Sequence, residues 1–168
     1  MKRLILMRHA KSDWSLGQPD HERTLNKRGR QSAKALGRWL GAEGLAPDQV
    51  LCSTATRTRE TLKRLALDPE PETVFEDRLY HAGPESMFRQ LSAATGNTVL
   101  MVGHNPGIAA FADEISETAP PHPRFHDYPT GATLVAEFDI DVWADLAWQS
   151  GVPRGFVIPR ELLDSGEA

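Results

Sequence analysis

The chain has a single cysteine among its 168 residues, which excludes an intramolecular disulfide and is typical of a reducing compartment. No apolar run approaches the ~18 residues that a membrane-spanning helix needs, and the run at residues 4–7 is too short for the core of a signal peptide. Basic residues are in the minority, 19 against 23 acidic residues, so the net charge is −4. This balance argues against a general binder of nucleic acid or anionic membranes. We therefore expect a cytoplasmic protein with no nucleic-acid partner and no membrane partner.

Hydrophobic residues make up 40% of the chain and charged residues 25%. These fractions are ordinary for a globular protein and exclude disorder as its main state. A length of 168 residues suits one hydrophobic core. We expect residues 1–168 to form a single domain.

Short apolar runs predict five strands, and amphipathic patterns between them predict four helices. The strands are expected at residues 4–7, 49–52, 98–102, 133–138 and 155–158, and the helices at residues 27–43, 55–66, 85–94 and 106–115. Asn26 is expected to cap the first helix and Gly44 to end it, while Asn105 and Pro106 are expected to open the fourth. Runs that are apolar throughout are typical of strands buried on both faces. The alternation predicts an α/β fold, a three-layer α/β/α arrangement with a mostly parallel central sheet.

Residues 118–131 interrupt this alternation. The segment contains four of the twelve prolines, together with His122, Arg124 and His126. It is interpreted as an ordered surface loop and not as a domain boundary, because the strand predicted after it is needed for the sheet. We expect this loop to lie beside the mouth of the functional site.

Basic and imidazole side chains follow three of the predicted strands. Arg8 and His9 follow the first strand, Arg57 lies shortly after the second, and His104 follows the third. The carboxyl ends of parallel strands meet at one edge of a sheet, where open α/β folds bind their ligands. The sequence therefore predicts that two arginines and two histidines form a cationic site in an acidic protein.

A phosphoryl group fits this set of side chains. Arg8 and Arg57 can each offer forked N–H donors to phosphate oxygens, and Arg57 would share the anion with the positive end of its helix. One neutral imidazole can attack phosphorus, and the other, when charged, can stabilise negative charge on the equatorial oxygens. Because the protein itself supplies the cations, we expect neither a metal ion nor a cofactor.

Each of these residues has an ordinary structural interpretation when it is considered alone. The Arg8–His9 pair could be a surface feature, Arg57 an exposed helix residue, and His104 a turn residue bonded to the backbone. Their shared position after strands favours the functional interpretation. Cys52 falls within a buried strand pattern and is expected in the core. The remaining histidines lack the spacing of metal ligands and are expected to be solvated or to lie in loops; they are His21, His81, His122 and His126.

Three motifs resemble those of the histidine phosphatase superfamily, whose fold is phosphoglycerate mutase-like. Residues 6–10 resemble its R-H-G/A signature, and residues 103–107 are similar to its third motif. Its second motif, S-x-A-x-R-x-x-x-T, is matched by Ser53, Ala55, Arg57 and Thr61. Within the superfamily, the chain most closely resembles the short SixA-type phosphohistidine phosphatases; the segments that support this are Arg8-His9-Ala10-Lys11-Ser12, Asp20, Arg23-Thr24-Leu25, Gly29, Pro129-Thr130-Gly131-Ala132 and Phe156-Val157-Ile158-Pro159.

The resemblance implies a role for each matched residue of the site. His9 would be the nucleophile and would become transiently phosphorylated. Arg8, Arg57 and His104 would form the phosphate pocket around it. Water would then hydrolyse the phosphoenzyme.

One feature of many members of the superfamily is missing. They carry a glutamate that donates a proton to the leaving group, whereas residues 78–82, the corresponding stretch here, contain none, and Glu85 follows at the start of a predicted helix. SixA-type members also lack this glutamate. A protonated imidazole is a good leaving group without such an acid, so the absence favours phosphohistidine over a sugar phosphate as substrate. His81, Asp13 or a water molecule stay open as alternative donors.

The sequence leaves three candidate functions. The leading one is a metal-independent phosphohydrolase that acts on phosphohistidine in a partner protein, for example a histidine-containing phosphotransfer domain, because so short a chain has little left to form a lid over a small substrate. The second is a phosphatase of small phosphorylated molecules, such as sugar phosphates, or a mutase-like enzyme. The third is a phosphate- or phosphoprotein-binding module without catalysis, against which the intact His9 and His104 count.

Overall fold

The computed structural model describes residues 1–163 as six strands and five helices around one sheet. The strands are β1 (Lys2–Arg8), β2 (Gln49–Ser53), β3 (Glu72–Glu76), β4 (Thr98–Gly103), β5 (Thr133–Phe138) and β6 (Val152–Val157). The helices are α1 (Lys27–Ala42), α2 (Thr56–Leu65), α3 (Pro84–Ser92), α4 (Gly107–Ile115) and α5 (Pro159–Leu162). The five predicted strands and four predicted helices are all present; β5 has the predicted ends, and the others differ at one or both ends. Among residues 1–163, every helix is too short or too polar to span a lipid bilayer.

The strands form a mixed sheet in the order β3-β2-β4-β1-β5-β6. β1 pairs in parallel with β4, and β2 pairs in parallel with both β3 and β4. β5 runs antiparallel to its two neighbours, β1 and β6. The predicted α/β fold with a mostly parallel sheet is therefore confirmed.

Two apolar clusters cover the two faces of the sheet and produce three layers. In β1, Leu4 and Leu6 pack in the cluster that includes α3 and α4, whereas Ile5 and Met7 pack in the cluster that includes α1 and α2. Successive side chains of a strand point to opposite faces, so a strand covered on both faces must be apolar at each position. This requirement explains why the apolar run at residues 4–7 predicts a central strand.

β3 is a strand that the apolar pattern does not predict. It lies at the edge of the sheet, where, within residues 1–163, its one neighbour in the strand order is β2. Val74 and Phe75 are its apolar residues, both are exposed, and Glu72 and Glu76 flank them. An edge strand buries little surface, so its sequence carries no long apolar run.

The predicted ends of the first helix are confirmed. Asn26 caps α1 with its side-chain oxygen, which accepts a hydrogen bond from the Gly29 N–H at 2.8 Å. The helix ends at Ala42, and Gly44 adopts a left-handed conformation with φ +67°. Both residues follow the local preferences of helix termini, which the sequence alone displays.

The predicted start of the fourth helix is wrong. α4 begins at Gly107, with Pro106 at the cap position and no side-chain cap. The Asn105 amide instead donates hydrogen bonds to the carbonyls of Asp127 and Tyr128, at 2.9 and 3.1 Å. The Asn105 side chain therefore makes tertiary hydrogen bonds and does not form the helix cap that local sequence preference predicted.

The loop at residues 118–131 lies at the surface, as predicted, and two of its residues anchor it in the core. Phe125 and Tyr128 are fully buried. The Tyr128 hydroxyl donates to the carbonyl of Leu6 and accepts from the Leu134 N–H, so it bridges β1 and β5. The two buried aromatic rings hold this loop against the sheet.

Candidate active site

The carboxyl ends of β1, β2 and β4 bring the four predicted site residues together. Arg8 pairs in register with Gly103, and the His9 N–H donates to the Gly103 carbonyl at 3.1 Å. His104 follows β4 directly, and its ring centroid lies 5.4 Å from that of His9. Arg57 lies in the first turn of α2, after β2. The structure therefore places Arg8, His9, Arg57 and His104 at one edge of the sheet.

His9 is held as a neutral imidazole in a defined tautomer. Its side chain is buried, with 5% of the residue exposed, and Nδ1 donates to the Ala10 carbonyl at 2.7 Å. A proton on Nδ1 leaves the lone pair on Nε2. Burial, together with the positive charges of Arg8 and Arg57, lowers the pKa of His9 to about 3. An uncharged ring with a lone pair on Nε2 is the form that can attack phosphorus.

His104 is also buried, beside the end of β2. Its Nε2 lies 2.8 Å from the Ser53 hydroxyl oxygen, which therefore orients the ring. Burial, followed by the neighbouring His9 and Arg57, lowers the pKa of His104 to about 2. The ring is thus neutral in this structure, and it gains a charge only where an anion alongside stabilises the protonated form.

Arg8 and Arg57 add two guanidinium groups to the site. Arg57 is 4% exposed, so the alternative of an exposed helix residue is wrong. Its Nη1 donates to the Asp20 carbonyl at 2.7 Å, and Arg8 Nη1 donates to the Tyr128 carbonyl at 3.2 Å. Burial and the neighbouring Arg57 lower the pKa of Arg8. Two like charges held together, Arg57 buried and Arg8 half-buried, fit a dianionic phosphoryl group.

The Nε atoms of these two arginines and Nδ1 of His104 are buried. None of the three has a hydrogen-bond partner among residues 1–163. Buried polar groups are usually paired, and exceptions concentrate at functional sites. The site therefore contains buried nitrogen atoms that are free to bind a ligand, since residues 1–163 offer them no hydrogen bond.

Asp20 lies at the mouth of the site, with 43% of its side chain exposed. Its carboxylate accepts hydrogen bonds from the Tyr80 hydroxyl, from Arg23 Nη1 and from Arg57 Nη2. The bond from Tyr80, followed by those from Arg23 and the charge of Arg57, holds the pKa of Asp20 well below its ordinary value. Asp20 is therefore an ionised carboxylate that forms an ion pair with Arg57.

Sequence reasoning did not place Tyr80 in the site, and it used Asp20 and Arg23 only as marks of resemblance. The Asp20–Arg23 pair has the spacing of three residues that an ion pair in a tight turn needs, and the structure has a short turn at Asp20–Glu22. That spacing was a usable signal. Tyr80 follows a second short turn at Asp77–Leu79, and no local pattern connects it to Asp20.

The other side chains that the sequence offers as possible metal ligands are four histidines and Cys52. Within residues 1–163, no three histidine, cysteine, aspartate or glutamate side chains are grouped so as to hold a metal ion. His122 contacts Glu161, and His126 lies 3.8 Å from Asp113. Cys52 is buried in the core, and burial raises the pKa of its thiol to about 12.

Comparison with known proteins places this geometry in a family. The sequence model of the histidine phosphatase superfamily (branch 1) matches residues 4–82, which include Arg8, His9 and Arg57. An uncharacterized protein of Mycobacterium tuberculosis is 35% identical over 161 residues, which cover 92% of this chain and 100% of that protein.

Two solved structures share the fold along almost the whole chain. A candidate phosphohistidine phosphatase, SixA, from Nakamurella multipartitia is 31% identical, with a TM-score of 0.83 over 94% of this chain and 96% of that chain. A candidate phosphohistidine phosphatase, SixA, from Agrobacterium tumefaciens is 26% identical, with a TM-score of 0.75 over 94% of this chain and 98% of that chain. The chain therefore belongs to the histidine phosphatase superfamily, it is similar to SixA-type members, and it is a phosphatase.

Proposed function

We propose that this phosphatase removes the phosphoryl group from phosphohistidine on a partner protein, through a phosphorylated His9 and without a metal ion. The observation that carries the proposal is the set of hydrogen bonds to the carboxylate at the mouth. Three donors stabilise Asp20 as an anion, so it does not supply the proton that an alkoxide leaving group needs. An imidazole that is already protonated on its second nitrogen leaves phosphorus as a neutral ring and needs no such proton.

Asp13, one of the proton donors that the sequence leaves open, is disfavoured in the same way. Hydrogen bonds from the Ser15 side chain and backbone lower the pKa of Asp13. The two solved SixA structures, at 31% and 26% identity, support the same substrate class, since both are described as candidate phosphohistidine phosphatases.

The reaction has two steps at the same phosphorus atom. His9 Nε2 forms a bond to phosphorus, and the bond between phosphorus and the substrate imidazole breaks with its electron pair on the departing nitrogen. Arg8, Arg57 and His104 donate N–H groups to the phosphoryl oxygens as charge develops on them. Water then attacks phosphorus, and the bond from phosphorus to His9 Nε2 breaks with its electron pair on that nitrogen. Inorganic phosphate leaves with the water oxygen, the released proton passes to solvent, and His9 returns to its neutral form.

The test uses a histidine-containing phosphotransfer domain phosphorylated on histidine. The wild-type enzyme should dephosphorylate it, and the His9→Ala variant should show no turnover above the spontaneous rate. His126→Ala, which removes an exposed imidazole, is the matched control and should keep full activity. Mass spectrometry at alkaline pH should find the phosphoryl group on His9 after a rapid quench. Turnover by His9→Ala would reject the nucleophile.

A substrate panel and a chelator separate the remaining alternatives. Hydrolysis of sugar, nucleotide or aryl phosphates without any hydrolysis of phosphohistidine would establish the small-molecule phosphatase instead. Activity after dialysis against EDTA should equal the activity before it, because arginine side chains supply the positive charge. A loss that a divalent cation restores would contradict metal independence.

A further inference from the structure

A group of aromatic rings lies next to Asp20 at the mouth of the site. The Tyr80 ring stacks on that of His81, with centroids 3.9 Å apart and planes 38° apart. His21 meets Tyr80 edge-on at 4.6 Å, and His104 meets it edge-on at 5.5 Å. Tyr80 therefore lies between the phosphate-binding residues and the surface. Neither the Tyr80 ring nor the His81 ring has a part in the two steps at phosphorus.

The Asp20 carboxylate still has room for a ligand. Oδ2 accepts from Arg57 and from Tyr80, whereas the structure gives Oδ1 one donor within residues 1–163, Arg23 Nη1. Each carboxylate oxygen can accept two hydrogen bonds, and the side chain is 43% exposed. Oδ1 thus has one acceptor position left, on a carboxylate whose side chain is partly exposed at the mouth.

The loop that carries the aromatic rings is held close to α4. His81 adopts a left-handed backbone conformation, with φ +57°, and its side chain is 68% exposed. The Ala82 carbonyl approaches Gly107 so closely that a Cβ on Gly107 would lie 1.8 Å from its oxygen. A non-glycine residue in this conformation is uncommon and is found where surrounding structure imposes it. The loop is therefore fixed in place beside His104.

We propose that Asp20, Tyr80 and His81 form the subsite for the leaving imidazole, with Asp20 Oδ1 accepting the N–H of the substrate ring. This inference rests on the proposed function. A phosphorylated imidazole that carries a proton on its second nitrogen is a flat cation, and it fits aromatic faces beside a carboxylate.

The chemistry balances without an added acid. The substrate enters with phosphorus on one ring nitrogen and a proton on the other, which Asp20 holds by its hydrogen bond. When the bond from phosphorus to nitrogen breaks, the electron pair stays on that nitrogen and the ring leaves as neutral imidazole. The proton on the second nitrogen is neither taken up nor released. Asp20 thus stabilises the reactive, protonated form of the substrate.

Asp20 also contacts Arg57, so its hydrogen bond to the substrate imidazole must be measured separately from that contact. Asp20→Asn should lower kcat/KM for the phosphorylated protein by about 10-fold to 100-fold, as expected for a lost charge-assisted hydrogen bond. The inhibition constant of inorganic phosphate should not rise, because phosphate has no imidazole and the substitution removes a negative charge beside Arg57. A parallel loss of phosphate affinity would show that Asp20 only positions Arg57 and would overturn the proposal.

Two further variants complete the experiment. Asp13→Asn makes the same change of charge at an exposed carboxylate that bonds to Ser15, and it should leave kcat/KM near the wild-type value. Tyr80→Leu, which removes the ring, should raise KM for the phosphoprotein more than Tyr80→Phe, which keeps it. Equal effects of these two would reject the stacking role. A wild-type enzyme inactive on phosphohistidine would instead reject the proposed function itself.

Discussion

At the scale of single residues, the site depends on histidines that burial keeps neutral. The Nδ1 proton of His9 is bound to the Ala10 carbonyl, and the neighbouring Ala10 N–H donates to the Thr61 hydroxyl at 3.0 Å. Two hydrogen bonds on successive residues thus hold the segment that carries His9. A nucleophile needs this degree of orientation, because small displacements reduce the rate of an attack on phosphorus strongly.

We predict that Arg57→Ala weakens oxyanion binding and catalysis together. Loss of hydrogen bonds from a charged donor should cost about 1.5–3 kcal/mol, which is roughly 10-fold to 150-fold in the inhibition constant of inorganic phosphate and in kcat/KM. Arg59→Ala is the matched control, because Arg59 lies on the same helix with its guanidinium over the Phe75 ring at 4.5 Å. Equal effects of the two substitutions would contradict a phosphate-binding role for Arg57.

We predict that Cys52 does not react in the folded protein. Its thiol is buried, and a pKa of about 12 leaves almost no thiolate at pH 8. Iodoacetamide at that pH should add nothing to the intact mass of the native protein and one group to the protein in urea. Labelling of the native protein at the rate of an exposed thiol would show that β2 opens readily.

At the scale of elements, close backbone approaches hold the loops around the site. The start of α4 packs directly on the loop before α3, because Gly107 has no side chain to keep the Ala82 carbonyl away. On the other side, Asn105 is bonded to the loop at residues 118–131, whose Tyr128 carbonyl accepts from Arg8. The segment between β4 and α4 thus connects both loops to the phosphate-binding residues.

We predict that Gly107→Ala destabilises the protein and disturbs the mouth of the site. The new Cβ would overlap the Ala82 oxygen, and the required backbone shift should cost about 1–3 kcal/mol. Gly41→Ala is the matched control, since Gly41 lies in α1 with nothing within 4 Å of a new Cβ. It should be neutral or stabilise by up to ~1 kcal/mol through helix propensity. Urea unfolding measures both, and equal midpoints would contradict the predicted contact.

At the scale of the whole molecule, buried neutral histidines couple stability to pH. The pKa values of His9 and His104, about 3 and about 2, lie below the ordinary value of 6.5. Below that ordinary value, the unfolded chain binds protons that the folded chain does not. The free energy of unfolding must therefore fall as the pH falls through this range, by up to ~1.4 kcal/mol per pH unit for each histidine.

We predict that His9→Asn reduces this pH dependence. The difference in unfolding free energy between pH 7 and pH 5 should be smaller in the variant than in the wild type, whatever its stability at pH 7. His126→Asn replaces an exposed histidine and should keep the wild-type difference. Aspartates such as Asp20, whose pKa is lowered, contribute mainly below this range. An unchanged difference in His9→Asn would contradict the burial of a neutral His9.

Local sequence patterns predicted the structure correctly where a single local interaction decides it. Asn26 caps α1 because a side-chain oxygen can satisfy a free N–H of the first turn wherever the helix packs. The same preference was misleading at Asn105, because the carbonyls of residues 127 and 128 lie within its reach in the folded chain. β3 was missed for a related reason, since an edge strand shows no continuous apolar run.

The sequence by itself determined that Arg8, His9, Arg57 and His104 would meet. Strands buried on both faces can be recognised as apolar runs, and the carboxyl ends of parallel strands lie at one edge of the sheet. The folded structure alone decided what surrounds them. Asp20 meets Arg57 across 37 residues and Tyr80 across 60, through loops whose course no local periodicity records. The ionised carboxylate on which the proposed substrate choice depends is therefore a property of tertiary packing, since the donors that stabilise it come from separate parts of the chain.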